Sequence, residues 1–318
     1  MSTMFSMPVV KTGVSKYFFE DGTTLESYHG KEKFAEQMAA GTNDSKEDIL
    51  QYLNRTETIY NLTDEVFLKN SLHRLKNFFT WPVVRGILNF GKIGAFDTMN
   101  GANSKAFKDS RLVKIFNRYS TYNGSSPYLS PATLNVIAHV EIVKGAYYPE
   151  GGMFGITDAL VKLARDIGVQ FKFSTPVKEI LIENKKVTGV RTDNGTESFD
   201  VVISNMDVYN SYKKLMPNVK RPAKTLDQPK SSSGIIFYWG INKEFKELGL
   251  HNILYAENYE EEFDTIFSKK AIYHDPTIYV NITLLSAYCI ITIILSMMYI
   301  LHFTISELLS EENILLKY

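Results

Sequence analysis

The apolar positions between residues 153 and 167 follow the period of a helix. They recur at intervals of three and four residues, which places them on one helical face: Met153, Ile156, Leu160, Leu163 and Ile167. Gly168 follows directly, and glycine is the residue that most often ends a helix in the left-handed conformation. The pattern therefore predicts a helix with Gly168 as its C-cap.

The residues after this helix have the patterns of strands. Residues 169–173 alternate between apolar and polar, and further strands are predicted over 177–183, 187–193 and 198–205, with turns between them. The apolar run 201–203 is typical of a strand buried on both faces of a sheet. Helix, strand, small meander and central strand together predict an α/β unit.

Further elements are predicted on both sides of this unit. Asp21-Gly22 lies between two short apolar runs and is a turn pair favoured in tight hairpins, because glycine tolerates positive φ. A helix is predicted to begin at Gly30. Residues 43–103 carry helical apolar stripes that break at Trp81-Pro82, because proline cannot donate a helical hydrogen bond. The remaining predictions are a strand over 234–240 and an acidic turn or helix start over 257–264. The fold class expected is α/β (α+β).

The C-terminal region contains a long uncharged run. Residues 276–306 include no Asp, Glu, Lys or Arg, and the core of the run exceeds the ~18 apolar residues that indicate a membrane-spanning helix. Lys269 and Lys270 precede the run and three glutamates follow it, so the positive-inside rule keeps the main body cytoplasmic. The sequence predicts a hydrophobic C-terminal helix, with a buried strand and helix of the core as the alternative.

Composition and charge exclude several classes of protein. The 318 residues contain 35 basic and 35 acidic side chains, so no overall charge favours nucleic acid, and the single cysteine, Cys289, allows no internal disulfide. The first residues lack the basic and apolar regions of a secretory signal, so the chain is expected to start in the cytoplasm. Six basic residues and one acid lie within 213–230, which is typical of a solvated loop or of a segment that contacts lipid headgroups.

The motifs of hydrolytic, nucleotide-binding and zinc chemistry are absent. The sequence has no His-Glu-x-x-His, Cys-x-x-Cys, Walker lysine loop or Gly-x-Ser-x-Gly, and its six histidines are scattered singly, so no metal site is predicted. Two runs remain as candidates. Residues 116–128 form an aromatic and polar stretch around Arg118, and residues 145–153 place Gly151-Gly152 before a helix, where the backbone can approach a ligand closely.

These two runs, together with the segments 159–164, 177–180, 187–190 and 200–207, resemble the phytoene desaturase family of carotenoid desaturases, which are FAD-dependent enzymes of the amine-oxidase-like fold. The resemblance covers residues 16–283, and the two runs are most similar to the bacterial branch that desaturates acyclic or 1-hydroxylated carotenoids at the 3,4 position. It implies a partial FAD-binding, glutathione-reductase-like fold with a helical and mixed-sheet substrate domain. It also implies FAD as cofactor and a lipophilic carotenoid as substrate, whose hydride passes to the flavin.

The resemblance also implies roles for individual residues. The backbone of Val177 corresponds to the position that meets the adenine of FAD, and the family's Asn-x-Asp motif corresponds to Asn205, Met206 and Asp207. The substrate channel is expected along Tyr147, Gly151, Gly152 and Met153. Arg118 and Tyr148 are the candidate polar groups facing that channel.

The sequence departs from the family at both ends. The family opens with a Gly-x-Gly-x-x-Gly loop and closes with a glycine-rich segment over the flavin, and neither is present here. We therefore expect an inactive fragment that does not hold FAD, with a non-native tail after Thr283. The alternative is a non-catalytic single-pass membrane protein with an oxidoreductase-derived cytoplasmic domain.

The expected organisation follows from these comparisons of segments. Residues 1–145 are assigned to a substrate or helical domain portion, 146–210 to part of the FAD-binding domain, 211–283 to the substrate-domain sheet, and 284–306 to a transmembrane segment or non-native tail. The protein is expected on the cytoplasmic side of a membrane, peripheral by family or single-pass through its tail.

Overall fold

The computed structural model describes residues 15–64, 79–89, 91, 93–147, 149, 152–228, 230, 232–241, 245–285 and 288–297. These residues fall into two compact units. The central unit spans Gly151–Lys230, and the flanking unit spans Phe5–Glu150 and Ser231–Tyr318. The assignment of the chain to four domain segments stays a prediction.

The described residues contain both strands and helices. The strands are β1 Ser15–Phe18, β2 Thr24–Ser27, β3 Val177–Glu183, β4 Lys186–Thr192, β5 Gly195–Ser198, β6 Ser233–Ile241, β7 His251–Leu254, β8 Ile278–Leu285 and β9 Tyr288–Met297. The helices are α1 Lys31–Gly41, α2 Lys46–Thr63, α3 Trp81–Leu88, α4 Met99–Ala106, α5 Ser110–Asn117, α6 Val136–Ala138, α7 Phe154–Asp166, α8 Val208–Asn210, α9 Ala223–Leu226 and α10 Tyr259–Asp264. The predicted mixture of helix and sheet is confirmed.

The flanking unit contains a mixed six-stranded sheet in the order β2-β1-β7-β8-β9-β6. Strands β1 and β7 run parallel, whereas the other neighbours are antiparallel. The β1–β2 hairpin turns at Gly22, whose φ is 79°. A residue with a Cβ is strained in that conformation, which explains why the Asp21-Gly22 pair predicted the turn correctly.

Helix starts in the flanking unit follow local capping chemistry. The Ser45 side chain accepts a hydrogen bond from the backbone of Asp48 at the start of α2, and Thr98 does the same for Gly101 in α4. Asp109 caps α5 through the backbone N–H of Arg111. Each cap satisfies a backbone donor that the helix itself leaves unpaired. The predicted helical character of residues 43–103 is confirmed over α2, α3 and α4.

The core of the flanking unit is aromatic. Phe116 is fully buried, and its ring lies 4.5 Å from that of Tyr52 and 5.0 Å from that of Phe107, measured between ring centroids. Phe34 and Tyr119 complete the contacts around it. Aromatic pairs at these distances add to the free energy gained by removing the rings from water.

A buried amide network crosses this core. Tyr52 donates its hydroxyl to Asn103 Oδ1 at 2.6 Å, and Asn135 Nδ2 donates to the same oxygen at 3.0 Å. Asn103 Nδ2 donates to Asn117 Oδ1 at 2.9 Å, and Asn117 donates onward to Asn100 at 2.8 Å. The network thus fastens α2, α4 and α5 to the turn before α6.

The central unit contains α7 and the antiparallel three-stranded sheet β3-β4-β5. Helix α7 is confirmed, and Gly168 after it has a φ of 90°. None of the residues of α7 is buried within its unit. The apolar face that the sequence predicted is therefore present and largely exposed to solvent in the described structure.

Two strand predictions in the central unit are wrong. Residues 169–173 and 199–205 have no strand pairing among the described residues, and β5 covers only Gly195–Ser198. Val201 is 74% exposed and Ile203 is 90% exposed, so the run is not buried on either face. A strand requires a neighbour that takes up its backbone hydrogen bonds, and an apolar pattern alone does not supply one.

The predicted hydrophobic C-terminal helix is also wrong. Residues 278–285 and 288–297 form the antiparallel strands β8 and β9, and β9 pairs along its length with β6. A continuous apolar run has no visible period, so its length favoured a helix, whereas its β-branched residues favour a strand. No helix within the described ranges has the length and apolar character needed to span a membrane. Residues 298–306 lie outside those ranges.

Candidate functional site

A cavity of about 840 Å³ lies within the flanking unit. Its wall includes residues from the turn after α5, from the sheet strands β7 and β8, and from α10. Aromatic rings line several sides of it, namely those of Tyr122, Tyr259, Phe263 and Tyr279. The volume is within the range of roughly 300–1,000 Å³ typical of small-molecule sites.

Arg118 reaches the cavity from a tight turn. Helix α5 buries Leu112, Ile115 and Phe116, and the chain then continues as a 3₁₀ turn over Arg118–Asn123. Gly124 ends that turn with a φ of 60°. Because the apolar face of α5 is anchored in the core, Arg118 is carried inward and is only 7% exposed.

Arg118 is enclosed by one carboxylate and three tyrosines. Its Nη2 atom lies 3.0 Å from Glu141 Oε1, and its Nη1 donates to the Tyr122 hydroxyl at 2.8 Å. The guanidinium carbon lies 4.8 Å from the ring centre of Tyr119, 5.3 Å from that of Tyr122 and 5.7 Å from that of Tyr17. Ring faces at these distances attract a cation.

Glu141 accepts hydrogen bonds from three sides. Arg118 and the Tyr119 hydroxyl both donate to Oε1, the latter at 3.1 Å, and the Tyr122 hydroxyl donates to Oε2. Burial alone lowers the pKa of Arg118, but the neighbouring Glu141 raises it well above its usual value. Burial raises the pKa of Tyr122. The cluster is therefore an Arg–Glu ion pair beside the neutral hydroxyls of Tyr119 and Tyr122, whose pKa values burial raises.

His251 lies on the opposite part of the wall, on the sheet. It pairs with Asn281 across β7 and β8, and Ile253 pairs with Tyr279. The Tyr279 hydroxyl lies 2.5 Å from His251 Nδ1, and Asn281 Nδ2 lies 3.3 Å from the same nitrogen. Burial lowers the pKa of His251, Glu141 opposes that shift, and Arg118 adds to it. His251 is therefore held neutral at pH 7.

Glu262 contributes a second carboxyl group to the wall. It is 1% exposed and accepts hydrogen bonds from the backbone and the hydroxyl of Thr277, at 2.8 and 2.6 Å. Burial raises the pKa of Glu262, and the two bonds from Thr277 act in the opposite direction. Because both bonds tie α10 to the start of β8, Glu262 fixes this side of the cavity.

We expect acid to destabilise the flanking unit through its buried histidines. Burial lowers the pKa of both His251 and His139 below the usual histidine value of about 6.5, so the unfolded chain binds more protons than the folded chain as the pH falls below that value. His251→Gln removes one of these groups and should reduce the loss of unfolding free energy between pH 7 and pH 5, by at most about 1.4 kcal/mol per pH unit. Urea unfolding at a series of pH values measures this.

His274→Gln is the matched control for this experiment. His274 lies in the same unit and is exposed, so the same substitution removes an imidazole that folding does not bury, and the pH dependence should stay close to that of the parent chain. An unchanged slope in His251→Gln would contradict the assignment of His251 as a buried neutral group.

The structure places the predicted site residues in different settings. Arg118 lines the cavity, and Tyr147 follows Ala146, which also lines it. Tyr147 is 50% exposed and donates its hydroxyl to the backbone of Lys144 at 3.0 Å. In the central unit, Gly152 has a φ of 99° and Met153, 56% exposed, precedes α7. Tyr148 and Gly151 lie outside the described residues.

The four residues assigned to FAD lie in the central unit. Val177 begins β3 and is 39% exposed, and Met206 is 43% exposed. Asn205 is also exposed, and the Asp207 carboxylate accepts the backbone N–H of Asn210 at the start of α8.

The sequence lacks one part of a dinucleotide site. The pyrophosphate in such folds lies on a Gly-x-Gly-x-x-Gly turn, and none of the 19 glycines has that spacing. The described residues therefore do not form a complete FAD site by themselves.

The sequence patterns missed Glu141, His251 and Tyr279. A signal for Glu141 existed, because it is the only carboxylate between Asp109 and Glu150 and a buried arginine needs an acidic partner. His251 and Tyr279 come together only through the register of β7 and β8. No local sequence pattern predicts the register of these two strands.

This chain is similar to one known protein family and to several curated proteins. The family described as flavin containing amine oxidoreductase matches residues 28–269. A 1-hydroxycarotenoid 3,4-desaturase of Flavobacterium sp. (strain P99-3) is 44% identical over 275 residues, which cover 86% of this chain and 56% of that protein. A phytoene desaturase of Cercospora nicotianae is 32% identical, covering 82% of this chain and 40% of that protein. The chain spans about half the length of the curated relatives it matches.

Solved structures agree at the level of the fold. An oxidoreductase from Methanosarcina mazei matches with a TM-score of 0.54 and 15% identity, covering 96% of this chain and 64% of that one. A protein from Pyrococcus furiosus matches with a TM-score of 0.52 and 14% identity, covering 92% of this chain and 61% of that one. The match over residues 28–269 shows that the chain belongs to the flavin-containing amine oxidoreductase family, whose cofactor is FAD.

Proposed function

We propose that this chain supplies the substrate-binding part of a FAD-dependent desaturase that introduces double bonds into an acyclic carotenoid. The observation that carries the proposal is the cavity of about 840 Å³ in the flanking unit, lined in part by aromatic rings. Large rings offer apolar surface to a polyene at a low entropic cost, because they have few rotatable bonds. The relatives named above act on carotenoids, which supports the same substrate class here.

The finer substrate assignment rests on the relative of 44% identity. Its name specifies 1-hydroxycarotenoids and the 3,4 position. We extend both to this chain as the favoured reading, with an acyclic hydrocarbon carotenoid as the second substrate. A bound FAD would supply the hydride acceptor, and the residues of the flanking unit would hold and orient the polyene and keep water away from it.

The protein is proposed to work at the cytoplasmic surface of a membrane, where a lipophilic substrate is dissolved. In the central unit, Lys213, Arg221 and Lys230 converge on the ring of Tyr209, at 5.9, 5.9 and 4.0 Å from its centre. A cluster of cations of this kind favours contact with anionic headgroups. The single-pass alternative is not favoured, because the run on which it rests forms the strands β8 and β9.

Carotenoid binding by the purified chain tests the proposal. An acyclic carotenoid in detergent should quench the tryptophan fluorescence in a saturable manner, at about one molecule per chain. Ala146→Trp places a large ring at the cavity wall and should weaken binding at least tenfold, because it fills space that the polyene needs.

Leu129→Trp is the matched control, since Leu129 is 73% exposed and the same ring is added outside the cavity. Its affinity should stay within twofold of the parent chain. Binding that does not saturate, or equal affinities in Ala146→Trp and the parent, would overturn the proposal.

A further inference from the structure

The cavity wall is more polar than a hydrocarbon ligand requires. Arg118, Glu141, His251 and Glu262 all line it, beside the tyrosines. Polar groups facing a pure hydrocarbon lose their water and gain no partner, which costs free energy for each group left unpaired. Most of these groups avoid that cost by bonding to each other, as Arg118 does with Glu141 and Glu262 with Thr277.

The Nε2 atom of His251 is available to a ligand in the cavity. Asn281 Nδ2 can only donate, and it lies 3.3 Å from His251 Nδ1, so Nδ1 is the acceptor nitrogen, to which the Tyr279 hydroxyl donates a hydrogen bond. A neutral imidazole with Nδ1 as acceptor carries its proton on Nε2. Across the described parts of the chain, Nε2 has no hydrogen-bonding partner. The tautomer assigned from these bonds thus gives the cavity an N–H donor.

Glu141 has one acceptor position left. A carboxylate offers about four acceptor positions, and Arg118, Tyr119 and Tyr122 occupy three on Glu141. Its charge also acts on His251, since it raises the pKa of that side chain against the effect of burial. The cavity wall therefore offers both a hydrogen-bond donor and a free acceptor position, and a hydroxyl group can use either.

We propose that His251 is a specificity-determining residue, whose Nε2–H donates a hydrogen bond to a hydroxyl oxygen on the polyene. Tyr279 and Asn281 are positioning residues, because they hold the tautomer through Nδ1. This inference rests on the proposed function, since it assumes that a carotenoid occupies the cavity. It adds the chemical feature by which the site distinguishes one carotenoid from another.

Two probes test the inference on the full 318-residue chain. They are an acyclic carotenoid hydrocarbon and its 1-hydroxy derivative, each titrated in detergent against tryptophan fluorescence. The parent chain should bind the hydroxy derivative about three- to tenfold more tightly, the gain typical of one or two added hydrogen bonds. His251→Phe should bring the ratio of the two affinities close to one.

His251→Gln tests the donor separately from the ring, because its side-chain amide N–H can take the place of Nε2–H. It should restore most of the preference for the hydroxy derivative, which a purely structural role of His251 would not predict. The double variant His251→Phe/Tyr279→Phe removes the hydroxyl that the single variant leaves unpaired, and it replaces the single variant if that protein does not fold.

The outcomes separate this inference from the proposed function. A parent chain that binds both probes equally, or a phenylalanine variant that keeps the preference, overturns the role of His251 and leaves carotenoid binding in place. A parent chain that binds neither probe overturns the proposed function and this inference with it.

Discussion

Arg118→Met should lower the free energy of unfolding of the flanking unit by about 3–5 kcal/mol, the loss typical of breaking a buried ion pair from one side. Arg118 is 7% exposed, and the side chain of its partner Glu141 is 13% exposed. Methionine fills much of the same space but leaves the Glu141 carboxylate without its countercharge. The hydroxyls of Tyr119 and Tyr122 still donate to it, yet they carry no compensating charge.

Urea unfolding followed by tryptophan fluorescence measures this loss, because both tryptophans, Trp81 and Trp239, lie in the flanking unit. Arg118→Met/Glu141→Gln should recover part of the loss, since it removes the uncompensated charge as well. Lys105→Met is the control for an exposed pair: Lys105 is 74% exposed and bonds Asp97, so its loss should be at most about 1 kcal/mol. Equal losses in Arg118→Met and Lys105→Met would contradict the description of a buried pair.

Asn103→Leu should be nearly as damaging, with a loss of about 3 kcal/mol or more, because three buried polar groups each lose a partner at about 1–3 kcal/mol. These groups are the Tyr52 hydroxyl, Asn135 Nδ2 and Asn117 Oδ1. Leucine has a similar size, so the loss arises from unpaired polar atoms and not from a cavity. The same urea titration measures it.

Tyr52→Phe provides a graded comparison within the same network. It removes one hydroxyl and leaves Asn103 Oδ1 bonded to Asn135, so its loss should be only about 0.5–1.5 kcal/mol. If Asn103→Leu cost no more than Tyr52→Phe, the network would contribute little beyond a single hydrogen bond.

The features that the sequence predicted correctly depend on local chemistry. The turn at Gly22 and the C-cap at Gly168 follow from the conformational freedom of glycine, and α7 follows from the spacing of its apolar residues. Strands β3 and β4 lie close in sequence and pair with each other. In each case the residues that decide the structure are within a few positions of one another.

The features that the sequence did not predict depend on residues that lie far apart along the chain. Residues 199–205 have the composition of a buried strand, but pairing requires a neighbour that composition does not identify. The apolar C-terminal run predicts a helix by its length, because no period is visible when nearly every residue is apolar. Only its pairing with β6 and β8 identifies it as a strand.

The sequence could predict only part of the candidate site, because its residues also come from distant parts of the chain. Arg118 was identified as a candidate because it is a cation in an aromatic stretch, while the tyrosine from β1 and the histidine from β7 that complete its surroundings are more than a hundred residues away along the chain. The roles of Val177, Asn205, Met206 and Asp207 toward FAD stay predictions that rest on the family.

The parallel pairing of β1 with β7 has a consequence for how the protein is made. Lys16 pairs with Asn252, so β1 emerges from the ribosome long before its partner exists, and β6 waits in turn for β9. Long-range pairing of this kind slows folding and leaves strand edges open meanwhile. The antiparallel strands β3–β5, by contrast, are contiguous and can pair as soon as they are synthesised. Among the described strands, β1 therefore has only β2 as a neighbour until β7 has been synthesised, and β6 has none until β9 follows.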